Sequence, residues 1–144
     1  MNLVRPAAVG ATSIAVVSTF LFAGTGTAAA ATSRTISGSS PDGGASFSGK
    51  LTWTGRGSFS ANVTLKDAKC DAHDVYFYFV IDKGWSNEWN GATRRNSEGC
   101  HKTITWNGIG GSDSAGIWGP TLRVCTDKFI DSCRDYDYDN PYFP

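Results

Sequence analysis

The sequence lacks several features that common functional classes require. The first of them is an excess of charge of one sign. The chain contains 13 basic and 13 acidic residues, and the basic residues are scattered apart from the adjacent pair Arg94 and Arg95. Electrostatic binding of nucleic acid needs a clustered basic excess, so the composition predicts no nucleic-acid partner. We interpret the arginine pair as part of a solvated surface.

Recognisable catalytic motifs are also missing. Neither a Gly-x-Ser-x-Gly nucleophile elbow nor a His-Glu-x-x-His zinc motif occurs, and the only histidines are His73 and His101. Both histidines lie in predicted turns, where a surface position is the simpler interpretation. A pair of carboxylates acting on a glycoside stays open, because distant acids can converge in space, but no specific pair stands out. The sequence therefore predicts a protein that is not an enzyme and uses no cofactor.

A helical period of 3.6 residues is absent as well, and alternation of apolar and polar residues takes its place. Phe59, Ala61, Val63 and Leu65 alternate with polar residues, which predicts a pleated strand with one apolar face. Further runs of this kind occupy 47–54, 75–82, 92–96, 102–107 and 120–126. Glycine-rich and polar loops separate them. We predict an all-β fold, a small antiparallel β-sandwich of six or seven strands, with a small barrel as the alternative.

The first 31 residues differ from the rest of the chain. Arg5 precedes an apolar, small-residue run over 7–22, and four alanines follow at 28–31. This order is typical of a secretory signal peptide with its cleavage site. A membrane anchor is the weaker alternative, because the run contains Gly10 and several hydroxyl residues and falls short of about 20 apolar residues. We predict a secreted, extracellular chain that makes no membrane contact after cleavage and forms one domain.

The four cysteines, Cys70, Cys100, Cys125 and Cys133, all follow the predicted cleavage site. An even number in a small exported domain predicts two disulfides. Three pairings are possible, and we favour the one that joins sequence neighbours, Cys70 with Cys100 and Cys125 with Cys133. A zinc site is less favoured, since no Cys-x-x-Cys is present.

These cysteines also carry a resemblance to a known group of proteins. Their flanking segments resemble those of small secreted actinobacterial proteins: Cys70-Asp71-Ala72-His73-Asp74-Val75-Tyr76, Gly99-Cys100, Arg123-Val124-Cys125 and Asp131-Ser132-Cys133. The resemblance covers residues 50–134. It implies an exported domain of short strands held by disulfides, and it supplies no catalytic residue.

Both ends of the predicted mature chain are less apolar than its centre. Residues 32–45 are polar and glycine-rich, with Ile36 as the apolar exception, and we predict a flexible arm. Such an arm can add a strand to the sheet edge of another secreted protein, with Ile36 filling a pocket. A sandwich domain over 46–134 would follow, and then an acidic and aromatic tail over 135–144.

The tail has an incomplete calcium-binding pattern. Asp135, Asp137 and Asp139 match the first three ligand positions of an EF-hand loop. Asn140 stands where that loop needs glycine, and the bidentate glutamate has no counterpart. An EF-hand is excluded, and a looser calcium site stays open, so we predict no metal residue.

Two loops hold the remaining candidate binding residues. Trp85 and Trp89, with Asn87, Glu88 and Asn90 beside them, can form a carbohydrate platform, although the simpler interpretation is that the two indoles cap one end of the sandwich. The loop between Cys125 and Cys133 exposes Lys128 or Phe129 and would suit a protease inhibitor, because a disulfide reduces the entropy lost on binding.

The combined prediction is a secreted, non-catalytic protein-interaction module. By class and size it can be an adaptor subunit of an extracellular antibacterial assembly such as an umbrella-toxin particle. A carbohydrate-binding module and a secreted enzyme inhibitor are the alternatives.

Overall fold

The fold consists of two antiparallel sheets packed face to face. A computed structural model describes residues 30–84 and 87–143 of the chain. The strands are β1 (Thr32–Ser39), β2 (Ala45–Gly55), β3 (Ser58–Asp67), β4 (Val75–Asp82), β5 (Glu88–Asn90), β6 (Arg94–Asn96), β7 (Thr103–Ser112), β8 (Gly119–Thr126) and β9 (Ser132–Asp137). The first sheet has the strand order β1-β2-β3-β7. In the second sheet β4 pairs with β8, β8 pairs with β9, and the short strands β5 and β6 pair with β4. The predicted all-β sandwich is confirmed.

The core lies between the two sheets and is formed by the alternating positions that the sequence marks. Every second residue of β3 and β4 is buried, including Val63, Leu65, Phe77 and Ile81. Each of these apolar rows leaves water when the two sheets meet, which contributes most of the favourable free energy of folding. The period of two in the sequence therefore arises because one face of each strand is buried between the two sheets.

The prediction of a flexible arm over 32–45 is wrong. Thr32–Ser39 forms β1, which pairs with β2 along its whole length, and Ile36 is buried in the core of the same chain. The phenol of Tyr136 fastens the end of β1 by bonding both the N–H and the carbonyl of Ser39, at 2.8 and 2.9 Å. A single apolar residue suffices here, because β1 is an edge strand and its backbone hydrogen bonds supply the rest.

The prediction of a separate tail over 135–144 is wrong as well. Asp135 and Asp137 belong to β9, and Tyr138 beyond it is buried. The side-chain amide of Asn140 donates to the carbonyl oxygens of Gly55, Arg56 and Ile117. A buried amide with three acceptors fixes the chain after β9 to the loops beside it.

The described residues form nine strands, where the sequence predicted six or seven. The additional strands are β1, β5 and β9, which are edge or short strands and lack an apolar row of their own. Residues 108–112, expected in a loop, continue β7 past a register shift opposite Ala61 and Val63. The described part of the chain contains no apolar helix long enough to span a membrane.

Both predicted disulfides are confirmed, Cys70–Cys100 and Cys125–Cys133. The second joins residues that face each other across β8 and β9, eight positions apart in sequence. Disulfides are typical of proteins that reside in oxidising compartments.

Candidate functional site

The β8–β9 hairpin ends in a turn with two apolar side chains directed into solvent. We call residues 127–131 (Asp127 to Asp131) the hairpin tip. Phe129 has a relative exposure of 105 % and Ile130 of 81 %, the highest values among the large exposed hydrophobic residues of the described chain. Large apolar side chains are more stable when they are removed from water, so two adjacent ones that stay exposed form a candidate contact surface.

Every other residue of the hairpin tip is held by the body of the domain. Arg95 forms an ion pair with Asp127, whose backbone N–H also donates to the Asp74 carbonyl at 2.9 Å. Lys128 Nζ lies 2.5 Å from Asp42 Oδ2. Asp131 accepts from the Tyr76 hydroxyl at 2.5 Å and from the Lys128 N–H at 3.0 Å. Together with the Cys125–Cys133 bridge, these contacts present Phe129 and Ile130 on a rigid base.

The same contacts shift the pKa of the charged groups at this base. The hydrogen bond from Tyr76 and that from the Lys128 N–H lower the pKa of the Asp131 carboxyl. Burial raises the pKa of Tyr76 well above its usual range, and the neighbouring Asp131 carboxylate adds to this. Burial also works to raise the pKa of Asp42, but hydrogen bonds from Lys128, Ser40, the Gly44 N–H and Thr126 outweigh it and bring that pKa far below its usual range.

A second candidate site lies at the opposite end of the β8–β9 hairpin. It is an open cleft of about 620 Å³, and its rim carries an indole, Trp118, that is 48 % exposed. The described residues that line it are Asp82, Glu88, Trp118, Gly119, Pro120, Thr121, Asp137, Tyr138, Asp139, Asn140 and Phe143. The eight residues of β8 separate this cleft from the hairpin tip by about 25 Å, at about 3.3 Å per residue. The two sites can therefore act independently.

Of the carbohydrate residues predicted from the sequence, Glu88 lines this cleft, whereas Asn87, Trp89 and Asn90 do not. Trp85 lies outside the described residues. Trp89 is in β5 at 36 % exposure, and it packs beside Gly111, where an added Cβ would come within 3.2 Å of the indole. Asn87 is exposed and closes a turn through its backbone, accepting from Lys83 N–H at 3.1 Å. Ile36, the residue predicted for partner binding, is a core residue instead.

The predicted inhibitor loop has one exposed candidate and one that is engaged. Phe129 projects freely, whereas Lys128 pairs with Asp42. Ile130 was missed by the sequence reasoning. A signal for it existed, because two adjacent apolar residues cannot both face the core from one extended segment. Trp118 was missed too, since it lies in a glycine-flanked segment without alternation.

The side chains considered for metal binding or catalysis are mostly bonded to other residues or lie far apart from one another. Cys70, Cys100 and His101 bring their ligand atoms within 4.8 Å, but both sulfurs belong to a disulfide, and a metal needs thiolates. Asp135 receives two hydrogen bonds from Arg123, each 2.6 Å long, and Asp137 accepts from Thr121. Among the described residues, no three carboxylates converge to within 4.8 Å.

Comparison with known proteins adds no relative to this geometry. No protein-family model, no curated protein and no solved structure matches the chain.

Proposed function

We propose that this protein is a secreted, non-catalytic protein-interaction module that inserts its hairpin tip into an apolar pocket of a partner protein. The observation that carries the proposal is the high exposure of Phe129 and Ile130 on a turn whose other residues all contact the body of the domain. The predicted signal peptide and the two disulfides support an extracellular location for the encounter.

Rigidity gives the tip its advantage in binding. Ordering the backbone of a flexible residue costs about 1–2 kcal/mol. Because the tip is already ordered in the folded domain, this cost does not reduce its affinity for a partner. Burial of Phe129 and Ile130 in a partner would then contribute about 1.5–3 kcal/mol each. Two neighbouring anchors on a fixed turn are the arrangement that concentrates binding energy in few residues.

A protein pocket suits the tip better than a lipid surface. Asp127 and Asp131 flank the two apolar residues, and the nearby cations Lys128 and Arg95 are already paired with Asp42 and Asp127. Carboxylates at this position oppose approach to an anionic membrane, which attracts basic segments. An adaptor subunit of an extracellular toxin assembly is one role that this module would serve. If the partner is a protease, the module is an inhibitor.

The test is capture of partners from the culture medium of the producing organism. The baits are the mature protein with its disulfides intact, the double variant Phe129→Ser/Ile130→Ser, and the control Lys50→Ser, an exposed residue of β2 far from the tip. We expect a protein that the wild type and Lys50→Ser retain and the tip variant loses. Each side chain removed should weaken the purified pair about tenfold to hundredfold in a direct titration.

Three results would contradict the proposal. One is a partner that the tip variant retains with unchanged affinity. Another is binding of the wild type to phosphatidylglycerol-containing vesicles without any protein partner, which would make the tip a lipid anchor. The third is tip-dependent self-association in sedimentation measurements, which would make a second copy the occupant.

A further inference from the structure

The cleft beside Trp118 has a fixed aromatic wall. Gly84 packs against the indole so closely that an added Cβ would lie 2.6 Å from Trp118 Cε2, and the ring of Phe143 stands 6.0 Å away at 43°. The backbone on both sides is bonded, since Trp118 N–H donates to the Asp82 carbonyl and Asn140 N–H to the Trp118 carbonyl, each at 2.8 Å. Despite this, about half of the indole stays exposed. The ring is therefore held in place with one part of its surface unoccupied.

The polar groups of the cleft are mainly acceptors. Asp82 accepts from the Gly84 N–H through one carboxylate oxygen, and Asp137 accepts from the Thr121 hydroxyl in the same way. The side chains of Glu88 and Asp139 have no hydrogen bond to another described residue. Two side-chain donors of the cleft are already used, because the amide of Asn140 donates to three carbonyl oxygens and the Thr121 hydroxyl to Asp137. None of the described lining residues is basic. A ligand that fits must bring hydrogen-bond donors and must not be anionic.

We propose that this cleft is a carbohydrate-binding site for neutral or amino sugars, with Trp118 stacking on the apolar face of a pyranose ring. A sugar ring has an apolar face of C–H groups and a rim of hydroxyl donors. The indole would cover the first, and the carboxylates of Asp82, Glu88 and Asp137 would accept from the second through charge-assisted hydrogen bonds. The cleft volume of about 620 Å³ falls within the range of small-ligand sites, roughly 300–1,000 Å³.

Two competing ligands fit the cleft less well. A metal ion needs several oxygens around one point, and no three carboxylates of the described chain lie within 4.8 Å of one another. A small alkylammonium ion would use the charge but leave most of the cleft volume and the dispersed acceptors unused. A ring with hydroxyls on several sides can reach acceptors that stand apart.

The experiment is a titration of the full mature protein with defined oligosaccharides. The probes are cello-, xylo-, malto- and chito-oligosaccharides and deacetylated chitosan oligomers, with heparin oligosaccharides as the anionic member and choline as the alkylammonium member. Binding is followed by calorimetry and by the indole N–H resonance of Trp118. We expect at least one neutral or amino sugar to bind, heparin not to bind, and Trp118→Ala to weaken binding about tenfold or more. Glu88→Gln should weaken it less.

The matched control is Trp89→Ala, since Trp89 is also an exposed tryptophan but lies outside the cleft. It should leave sugar binding unchanged, and Phe129→Ser/Ile130→Ser should do the same, so that failure here is separable from failure of the protein-interaction proposal. The proposal is overturned if no probe binds at millimolar concentration. It is also overturned if Trp89→Ala abolishes binding and Trp118→Ala does not, or if choline binds more tightly than every sugar.

Discussion

Two isoleucines show how differently one residue type is used in this domain. Ile36 in β1 is 2 % exposed, whereas Ile130 in the hairpin tip is 81 % exposed. Ile36 stands alone in a polar segment and looks like a residue kept for a partner, yet it packs in the core of its own chain. Ile130 stands beside another apolar residue between two cysteines and faces solvent. Apolar character therefore does not tell a core residue from an exposed one, because burial depends on whether another segment of the chain covers the side chain.

The largest expected difference in stability is between the alanine variants of these two isoleucines. Ile36→Ala should lower the free energy of unfolding by about 2–4 kcal/mol, because it leaves a cavity between the sheets. Ile130→Ala should change the same quantity by less than about 0.5 kcal/mol, because the side chain contacts mainly water. Urea denaturation of both variants measures the difference. Equal losses would mean that Ile130 is packed in solution and would remove the basis for a docking tip.

A smaller effect is expected from opening the disulfide at the base of the tip. Replacing both Cys125 and Cys133 with alanine should cost about 2–3 kcal/mol, as estimated for a closed loop of eight residues. The same change frees the tip to move, so partner affinity should fall as well. The matched control replaces Cys70 and Cys100, whose loop is longer but lies away from the tip. That control should destabilise the fold at least as much and leave partner affinity unchanged at temperatures where it stays folded. Equal loss of affinity in both would argue against preorganisation.

The smallest effect concerns Asp42, which links the turn after β1 to the hairpin tip through Lys128 and to the end of β8 through Thr126. Its pKa is lowered by folding from the ordinary value of 3.8. The unfolded chain then binds the proton more readily, so the contribution to stability is complete above about pH 4 and is lost as the pH falls below it. Asp42→Asn should flatten the decline of the urea midpoint between about pH 4 and pH 2. Glu98→Gln, an exposed carboxylate without a side-chain bond to the described residues, should leave it unchanged. An identical decline in both variants would show that Asp42 does not link the two regions.

Much of the central architecture could be predicted because alternation reports burial directly. Rows such as Val63–Leu65 and Phe77–Phe79 face one interface, and each requires a strand. The edge strands β1 and β9 gave no such signal. In β9 the exposed Asp135 pairs with Arg123 across the sheet, and in β1 seven of eight residues lie outside the core. Edge strands gain stability from backbone bonding to a neighbour, which leaves no periodic mark in composition.

The candidate sites were less predictable than the strands. Phe129 was identified from its place between two cysteines, but the pairing of Lys128 with Asp42 joins residues 86 positions apart. The cleft brings Glu88, Trp118 and Asp139 together from three separate segments. No local pattern encodes such an encounter, because it depends on how the sheets stack and where the loops end.

By itself the sequence determined the all-β class, the central strands with one apolar face and the number of disulfides, because these follow from local periodicity and composition. Only the tertiary structure decided that Ile36 is core, that Asp135 and Asp137 belong to a strand, and that Phe129 and Ile130 remain outside. The physical reason is that the burial of a side chain depends on contact between two surfaces and not on the residue type alone. A side chain leaves water only when another segment covers it, and distant parts of the chain supply that cover.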